Sequence, residues 1–294
     1  MLELRDMQLL LSLARHKHFA RAAAVCGISQ PAFSMRIRNL EDQLGLSIVK
    51  RGNRFQGFTE EGEIVLRWAR RITDDARAME QEILSAKGTI TGTLTLGVVP
   101  TALAYASRLP AMVAKVHPGI MMRLRSASSL QIQQGIEDGS IDAGITYSDG
   151  VSADVLDLLP LYEETYVLVA PRSMAPRARG TATWAEAAAL PLTLLVRDMQ
   201  NRRILDRHFA EMNLHPQVLS ENNAFTSSLV MVNEGFAATI VPQALIASLG
   251  EIQNAVALPL VEPELTKSIC LVAAVRHQGL ATVQALQRIL GREA

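Results

Sequence analysis

A run of small, polar and basic side chains near the start of the chain has a spacing that places them on one side of a helix. The run lies within Phe19 to Leu46. Its apolar members recur every three or four residues and so form one stripe that faces a core, namely Phe33, Ile37, Leu40 and Leu44. The opposite side and its flanks form a small, polar and cationic face, which can enter the major groove of DNA. These residues are Ser29, Gln30, Pro31, Ser34, Met35, Arg36, Arg38 and Asn39.

Two short helices joined by a tight turn are needed to hold that side outward. Ala20–Cys26 is alanine-rich, and Gly27 follows it as a residue that accepts the left-handed conformation ending many helices. Ser29 is an N-cap candidate, and Pro31 falls in the first turn, where its missing N–H costs nothing. The sequence therefore predicts a helix-turn-helix. From periodicity alone, a solvated surface helix remains the alternative.

The same stretch resembles the N-terminal signature of the LysR-type transcriptional regulators. The match runs through roughly the first sixty positions, at Ala22-Ala23, Ser29-Gln30-Pro31-Ala32, Ser34, Ile37-Arg38, Leu40-Glu41, Leu44-Gly45, Arg51 and Thr59-Glu60-Glu61-Gly62. The remaining chain has the length and layout of that family's effector-binding part. The resemblance implies a DNA-binding regulator that responds to a small molecule and forms a tetramer, arranged as a dimer of dimers. Met35 departs from the family, which more often has a polar or basic side chain there.

Charge is distributed unevenly along the chain, although the formal net charge is zero. Residues 1–58 contain nine Lys or Arg and four Asp or Glu, and the remainder carries the opposite excess. A basic head favours a polyanionic partner, here double-stranded promoter DNA, at the N-terminus. Apolar residues make up 49% of the chain, enough for packed cores. The length suggests two domains, or three if one is split.

Cysteine usage and hydropathy indicate a cytoplasmic protein without a membrane segment. Cys26 and Cys270 are too few for a disulfide framework and are interpreted as inert thiols. Glu3, Arg5 and Asp6 interrupt any apolar stretch that could serve as a signal peptide. Nowhere does the sequence contain about twenty consecutive uncharged apolar residues, the length that a membrane span needs.

The sequence after the helix-turn-helix predicts a wing that completes a winged-helix domain at residues 1–58. Ile48-Val49 and Phe55 to Phe58 are interpreted as short strands around a turn. Arg51 and Arg54 in that turn are placed to reach phosphates or a minor groove. A merely solvated basic turn is the alternative.

A long helix at residues 59–86 follows the wing and carries a continuous apolar stripe. A helix that projects from a small domain cannot bury such a stripe alone, so we predict that two chains pair here as in a coiled coil. The pair would present two recognition helices to a two-fold symmetric site. A helix lying on its own body is the alternative. The predicted dimerisation residues are Val65, Trp68, Ile72, Met79 and Ile83, with Ala76 on the same stripe.

Predicted strands and helices alternate after a hinge linker at residues 87–92. This alternation predicts an α/β effector domain at 93–294, with a parallel sheet covered on both faces. A single helix is expected at 102–116. The resemblance implies two lobes like those of periplasmic solute-binding proteins, with lobe I at 93–161 and 267–294 and lobe II at 162–266. The chain would cross between the lobes near Tyr162–Glu164 and Leu265–Lys267.

Polar residues follow several of the predicted strands. Ligands of open α/β sheets bind at the carboxyl ends of strands, near helix N-termini that favour small anions. Each position alone could instead be an N-cap. Together, and with one arginine among them, they predict a small organic or inorganic anion as effector. These residues are Pro100, Thr101, Ser128, Ser129, Thr146, Arg197, Asn222, Asn223 and Thr226, and several match effector-contacting positions of LysR regulators.

Enzyme signatures do not stand out in the sequence. It contains no dinucleotide-binding Gly-x-Gly-x-x-Gly, no phosphate loop and no Gly-x-Ser-x-Gly, and its histidines lack metal-ligand spacing. We therefore expect no catalytic residues, no metal and no cofactor. The competing interpretation is a cytosolic solute-binding module whose N-terminal domain serves only assembly; Arg38, Arg51 and Arg54 together argue against it. RNA polymerase is a further candidate partner.

Overall fold

The computed structural model describes residues 2–50, 52, 55–86, 90–149, 156–176, 180–274 and 280–291. The chain divides into two compact units. The first is Met1–Gly88 with Gly279–Ala281, and the second is Thr89–Gln278 with Thr282–Ala294. None of the helices in the described ranges has the length and hydropathy that a membrane-spanning helix requires.

The first unit contains the predicted helix-turn-helix and the long helix. Its helices are α1 (Leu4–His16), α2 (Phe19–Val25), α3 (Gln30–Leu44) and α4 (Glu60–Ala86). The apolar stripe of α3 is buried as predicted, because Phe33, Ile37 and Leu40 pack with α1, α2 and the start of α4. The resulting core also includes Leu9, Leu10, Leu13, Ala22 and Leu66.

Local capping fixes where α3 begins and ends. The Ser29 hydroxyl accepts a hydrogen bond from Ala32 N at 3.4 Å, which satisfies one of the free N–H groups of the first turn. Gly45 ends the helix in the left-handed conformation, with φ 66°. The N-cap agrees with the role predicted for Ser29.

The start of the predicted wing is held against α3 by a pair of hydrogen bonds to one carboxylate. Glu41 Oε1 accepts hydrogen bonds from Ile48 N at 2.7 Å and Val49 N at 3.0 Å. Where the two strands were predicted, the described residues form an isolated antiparallel bridge, Val49 with Phe58. Arg51 and Arg54 lie outside the described residues, so their predicted contacts stay predictions.

The second unit is an α/β domain. Its strands are β1 (Gly92–Val98), β2 (Ile120–Ser126), β3 (Ala143–Tyr147), β4 (Leu156–Pro171), β5 (Ala182–Thr183), β6 (Leu192–Leu195), β7 (Val218–Asn222), β8 (Thr239–Pro242), β9 (Ala255–Val261) and β10 (Thr266–Ala274). A 3₁₀ turn at Pro100–Ala102 precedes its helices. These are α5 (Leu103–Ala106), α6 (Leu109–Val116), α7 (Ser129–Glu137), α8 (Trp184–Ala188), α9 (Gln200–Glu211), α10 (Phe225–Asn233), α11 (Gln243–Leu249) and α12 (Ala281–Leu290).

Two strands carry the chain between the lobes. In the main sheet the order is β2-β1-β3-β10-β4-β9-β5, so β10 and β4 lie in the middle. β10 pairs with β3 of lobe I, while the later part of β4 pairs with β8 and β9 of lobe II. Lys267 faces Glu164 in the register between the two. The predicted crossing segments are therefore adjacent.

Two details of the predicted α/β domain were wrong. The sheet is mixed, since β10 runs antiparallel to β3 and β4, and β8 and β9 run antiparallel to β4. The crossing strands cause this, because they travel between the lobes in opposite directions. The single helix predicted at 102–116 is interrupted: α5 ends at Ala106, and α6 begins at Leu109. Pro110 in the first turn of α6 cannot continue a preceding helix.

Candidate functional site

The outer side of α3 presents the polar residues that the sequence singled out. Ser29, Gln30, Pro31, Met35 and Arg38 are exposed, and Met35 has 59% of its surface accessible. Ser34 is half-buried at the edge of this face. Within the described part of the chain, Gln30 and Arg38 make no side-chain hydrogen bond or ion pair, so their side chains are available to a partner molecule.

Arg36, one of the predicted DNA-contacting residues, pairs with two carboxylates of its own unit. Its Nε donates to Asp6 Oδ1 at 2.8 Å and one of its terminal nitrogens donates to Glu3 Oε2 at 2.6 Å. Hydrogen bonds to Asp6 and Glu3 raise the pKa of the Arg36 guanidinium. The side chain therefore braces α3 against α1, and a DNA contact by Arg36 would have to compete with two carboxylates.

Helix α4 has one buried and one exposed apolar stripe. Leu66 and Ala69 enter the core of the first unit, and Val65 packs against the same core. Val65 is thus half-buried within its own chain, whereas Ile64, 47% exposed, lies on the outer stripe. The other large apolar side chains of this stripe are 41–57% exposed and are Trp68, Ile72, Met79 and Ile83.

A buried polar cluster in the second unit joins the ends of two lobe I strands to the crossing strand β4. The Tyr147 hydroxyl, at the end of β3, donates to Glu164 Oε1 on β4 at 2.8 Å. The same hydroxyl lies 3.0 Å from Thr101 Oγ1, in the turn after β1. All three residues are at most 2% exposed. We call Thr101, Tyr147, Glu164 and Tyr166 the hinge cluster.

Burial controls the ionisation of the hinge cluster. It raises the pKa of Glu164 to about 7, although the neighbouring hydroxyls of Tyr166, Tyr147 and Thr101 act in the opposite direction. Burial and the negative charge of Glu164 also raise the pKa of Tyr147. The carboxyl group of Glu164 can therefore gain or lose a proton near neutral pH, while the tyrosine stays protonated.

The serine and threonine residues predicted for lobe I divide into a cap and a hydroxyl pair. Ser128 forms a capping box with Gln131 at the start of α7, so the N-cap alternative holds for its side chain. Thr146 donates to Ser129 Oγ at 2.9 Å. Pro100 is buried at the start of the 3₁₀ turn that carries Thr101.

The residues predicted for lobe II are not brought to the hinge cluster by any hydrogen bond in the described ranges. The Arg197 side chain is 78% exposed and lies 3.6 Å from Glu221. Asn223 and Thr226 are both exposed. The side chain of the neighbouring Asn222 is held by two hydrogen bonds, which its Nδ2 donates to Thr193 Oγ1 and Ser228 Oγ.

Several residues of this site were missed by sequence reasoning. Tyr147, Glu164 and Tyr166 were not predicted, although an acidic residue between tyrosines in an otherwise apolar strand was a usable signal. Arg202 was also missed: it is 2% exposed and donates to Asp206, Glu221 and the Leu195 carbonyl at 2.8–2.9 Å. Across the described residues, no grouping of His, Cys, Asp and Glu is arranged to hold a metal ion.

Comparison with known families agrees with both units. The family described as "Bacterial regulatory helix-turn-helix protein, lysR family" matches residues 4–63. The family described as "LysR substrate binding domain" matches residues 87–294. The N-terminal match excludes the interpretation of the head as an assembly domain alone.

Among characterised proteins, the chain is similar to the hydrogen peroxide-inducible genes activator of Haemophilus influenzae. The two are 27% identical over 284 residues, which cover 92% of this chain and 90% of that protein. The match to the DNA-binding transcriptional dual regulator OxyR of Escherichia coli is 31% identical over 57% of this chain and 55% of the relative. With this and several other relatives, the matched part is about half of their length.

Solved structures share the fold across the chain. A full-length OxyR variant from Pseudomonas aeruginosa superposes with a TM-score of 0.79 at 19% identity, covering 99% of this chain and 95% of the other. Full-length CbnR, crystallised with its target DNA, gives a TM-score of 0.69 at 20% identity and covers both chains completely. Since the two family matches span the head and the α/β domain, the chain belongs to the LysR family of DNA-binding transcriptional regulators with an effector-binding domain.

Proposed function

We propose that this regulator reads a two-fold symmetric promoter site with paired α3 helices and that a small molecule bound at the hinge cluster modulates this binding. The observation that carries the proposal is the contrast between the exposed Gln30 and Arg38 on α3 and the buried polar groups at the strand ends. The exposed groups suit base edges and phosphates, and the buried ones suit a ligand that is enclosed.

Dimerisation through α4 is supported by its outer stripe. Single exposed apolar residues are common, but five at helical spacing over Ile64–Ile83 form a continuous surface that pairing would cover. We expect a homodimer through α4 and a tetramer as a dimer of dimers. Ile72→Glu should weaken pairing, measured as a lower mass in size-exclusion chromatography with light scattering, whereas the exposed polar Arg67→Glu should not.

Effector binding is proposed to act through the strands that cross between the lobes. Because Glu164 and Tyr166 lie on β4, a ligand that contacts them and Thr101 bears on both lobes at once. A change in lobe closure would alter how subunits pack and therefore the spacing of the DNA-binding heads. We expect the effector to be released unchanged. RNA polymerase is a further proposed partner at the promoter, and the cytoplasm is the expected location of the protein.

An anionic effector is the class that we propose for this site. Support comes from the hydroxyl groups of Thr101, Ser129 and Thr146 and from the N-terminus of α7, whose first residue is Ser129. Glu164 sets a condition on this class, because an ionised carboxylate would repel an anion.

The properties of the two cysteines also favour a reversible ligand over a thiol switch as the signal that the protein senses. Burial raises the pKa of the Cys270 thiol to about 11, and its Sγ lies 3.5 Å from the Thr146 carbonyl oxygen. A thiol of high pKa reacts slowly with oxidants, because the thiolate is the reactive form. Cys26, half-buried after α2, belongs to the other unit. These features support a reversible ligand, rather than oxidation of a thiol, as the signal that we propose for this chain.

A mobility-shift assay on DNA upstream of the protein's own gene tests the proposal. We expect binding at low salt that weakens steeply as salt is added, since phosphate contacts release counterions. Thr101→Ala or Ser129→Ala should abolish the response to an effector found by a thermal-shift panel of small organic acids, with DNA binding close to that of the wild type. Simultaneous loss of response and of DNA binding would contradict separate sites, and no shift on any promoter fragment would contradict the function itself.

A further inference from the structure

Three of the four tyrosines surround one carboxyl group, and the fourth packs against one of these three. The chain has four, Tyr105, Tyr147, Tyr162 and Tyr166. The Tyr147 hydroxyl donates to Glu164, and the charge of Glu164 raises the pKa of both Tyr162 and Tyr166 in addition to the effect of burial. Tyr105 joins through its ring, whose centre is 4.9 Å from that of Tyr162. This concentration is specific to the region around β4 and the lobe I strand ends.

Three polar atoms of this region are buried without a partner. They are Glu164 Oε2, Tyr162 Oη and Tyr166 Oη. The Tyr166 hydroxyl lies close enough to Glu164 to act against burial on the pKa of that carboxyl, but none of the three atoms meets a partner in hydrogen-bonding geometry among the described residues. They belong to alternate residues of β4, which places their side chains on one face of the strand. A buried polar group without a partner is destabilising, so three on one face mark a place where a ligand supplies the missing partners.

Among the described residues, Glu164 has no cationic side chain as a direct partner. No Lys, Arg or His of the described chain forms a hydrogen bond or ion pair with its carboxyl group. Lys267 is its cross-strand neighbour on β10, but Lys267 Nζ is 2.7 Å from Asp149 Oδ2. His208 on α9 is influenced electrostatically by Lys267. The side chains that act on the pKa of Glu164 are the hydroxyls of Tyr166, Tyr147 and Thr101. Lys267, the cation paired with it across the strands, already has an anionic partner in Asp149.

We propose that Glu164 binds the effector anion as a neutral carboxylic acid, donating a hydrogen bond from its unpaired oxygen beside the Tyr162 and Tyr166 hydroxyls. This inference rests on the proposed function, because it assigns the chemistry of the same effector site. When Glu164 is ionised, one proton is taken up from solvent for each anion bound. Effector binding and protonation of Glu164 then strengthen each other. The site therefore recognises the anionic effector together with one proton on Glu164.

The proton can be detected without a ligand. Since Tyr147, Tyr162 and Tyr166 respond to the charge of Glu164, tyrosine difference absorbance of the full chain should report its titration. We expect a transition near neutral pH in the wild type and in Glu163→Gln, whose carboxylate is exposed on the neighbouring position of β4. Glu164→Gln should lack the transition. The same transition in all three proteins would overturn the proposal.

Binding is tested with two small probes of opposite charge and similar size, propionate and propylamine. We expect calorimetry to show that propionate binds the wild type more weakly as pH rises above neutral, by up to about tenfold per pH unit. The affinity of Glu164→Gln should be independent of pH, because its amide donates a hydrogen bond without titrating. Glu163→Gln should follow the wild type.

Each other result contradicts the proposal. Propionate affinity that does not change with pH would remove the coupled proton. Preferential binding of propylamine, strengthening as pH rises, would make the site a cation site. Binding of neither probe at millimolar concentration would remove the anion site at the hinge cluster. The proposed function is judged separately, by wild-type and Glu163→Gln binding to promoter DNA, so its failure is distinguishable from failure of this inference.

Discussion

The outer face of α3 and the hinge cluster treat polar side chains in opposite ways. On α3, Gln30 and Arg38 are exposed and their side chains have no partner in the described part of the protein. In the hinge cluster, Tyr147 bridges Thr101 and Glu164 within the interior. A surface that reads an external polymer keeps its donors free. A site inside a domain must satisfy its polar groups internally, and the few that remain unsatisfied identify where something else binds.

The largest stability effect should come from the buried arginine of lobe II. Arg202→Ala removes a packed side chain and its bonds to Asp206, Glu221 and the Leu195 carbonyl, so we expect a loss of roughly 3–5 kcal/mol in unfolding free energy. Arg197→Ala should change it by less than about 0.5 kcal/mol, since Arg197 is exposed. Urea unfolding measures both. Equal losses would mean that burial does not distinguish these arginines.

The ionisation of Glu164 should make stability depend on pH. Its pKa is raised from 4.5 to about 7 by burial, so the folded state holds the proton more tightly than the unfolded state. This stabilisation is fully present below pH 4.5 and is lost as pH rises towards 7, by on the order of 3 kcal/mol. The lowered pKa of buried His208 acts oppositely, with stability lost as pH falls.

Urea midpoints across this range, compared between wild type, Glu163→Gln and Glu164→Gln, isolate the carboxyl group of Glu164. The decline should persist in Glu163→Gln and should be reduced in Glu164→Gln. A decline that is identical in all three proteins would assign the pH dependence to other groups.

The hydroxyl of Tyr147, at the centre of the hinge cluster, should make a smaller contribution to the unfolding free energy. Tyr147→Phe leaves Glu164 Oε1 and Thr101 Oγ1 without their shared partner, so we expect destabilisation by about 1–3 kcal/mol. Tyr162→Phe should cost little or stabilise, because its hydroxyl has no partner in the described residues. Thermal unfolding compares the two variants. A larger loss for Tyr162→Phe would show that its hydroxyl is satisfied in solution.

The smallest stability effect, with a clear binding effect, should come from α3. Arg38→Ala should leave the unfolding free energy within about 0.5 kcal/mol and weaken promoter binding by about 1–3 kcal/mol. Arg36→Ala should instead cost up to about 1 kcal/mol of stability, through its partly exposed pairs with Glu3 and Asp6. Fluorescence anisotropy on a labelled promoter fragment measures the DNA affinity of both variants, for comparison with their unfolding free energies. Equal loss of DNA affinity in both variants would indicate that Arg36 contacts DNA, as the sequence predicts.

The head could be predicted from sequence because its signals are local. Ser29, Pro31 and Gly45 lie within or beside the helix that they delimit, and the stripe of α3 follows a single period. The family resemblance then supplied the lobe crossing, which the register of Lys267 with Glu164 confirms. Local pattern and tertiary packing agree in these parts of the chain.

The hinge cluster could not be predicted because its members come from three separate elements. Thr101, Tyr147 and Glu164 meet only after the lobe I strands and β4 are assembled. The antiparallel pairing could not be predicted for the same reason, because the residues of a strand do not determine its direction relative to neighbouring strands. Arg202 was overlooked in favour of Arg197, because burial of a charged side chain depends on partners such as Glu221.

The placement of the two tryptophans gives each unit its own optical probe. Trp68 is 54% exposed on the outer stripe of α4, whereas Trp184 is fully buried against Phe209 in lobe II. With Trp184 replaced by phenylalanine, the emission colour of the remaining indole reports whether α4 is solvated or covered by a second chain. Dilution of the protein should therefore shift that emission to the red as subunits separate, without any attached dye.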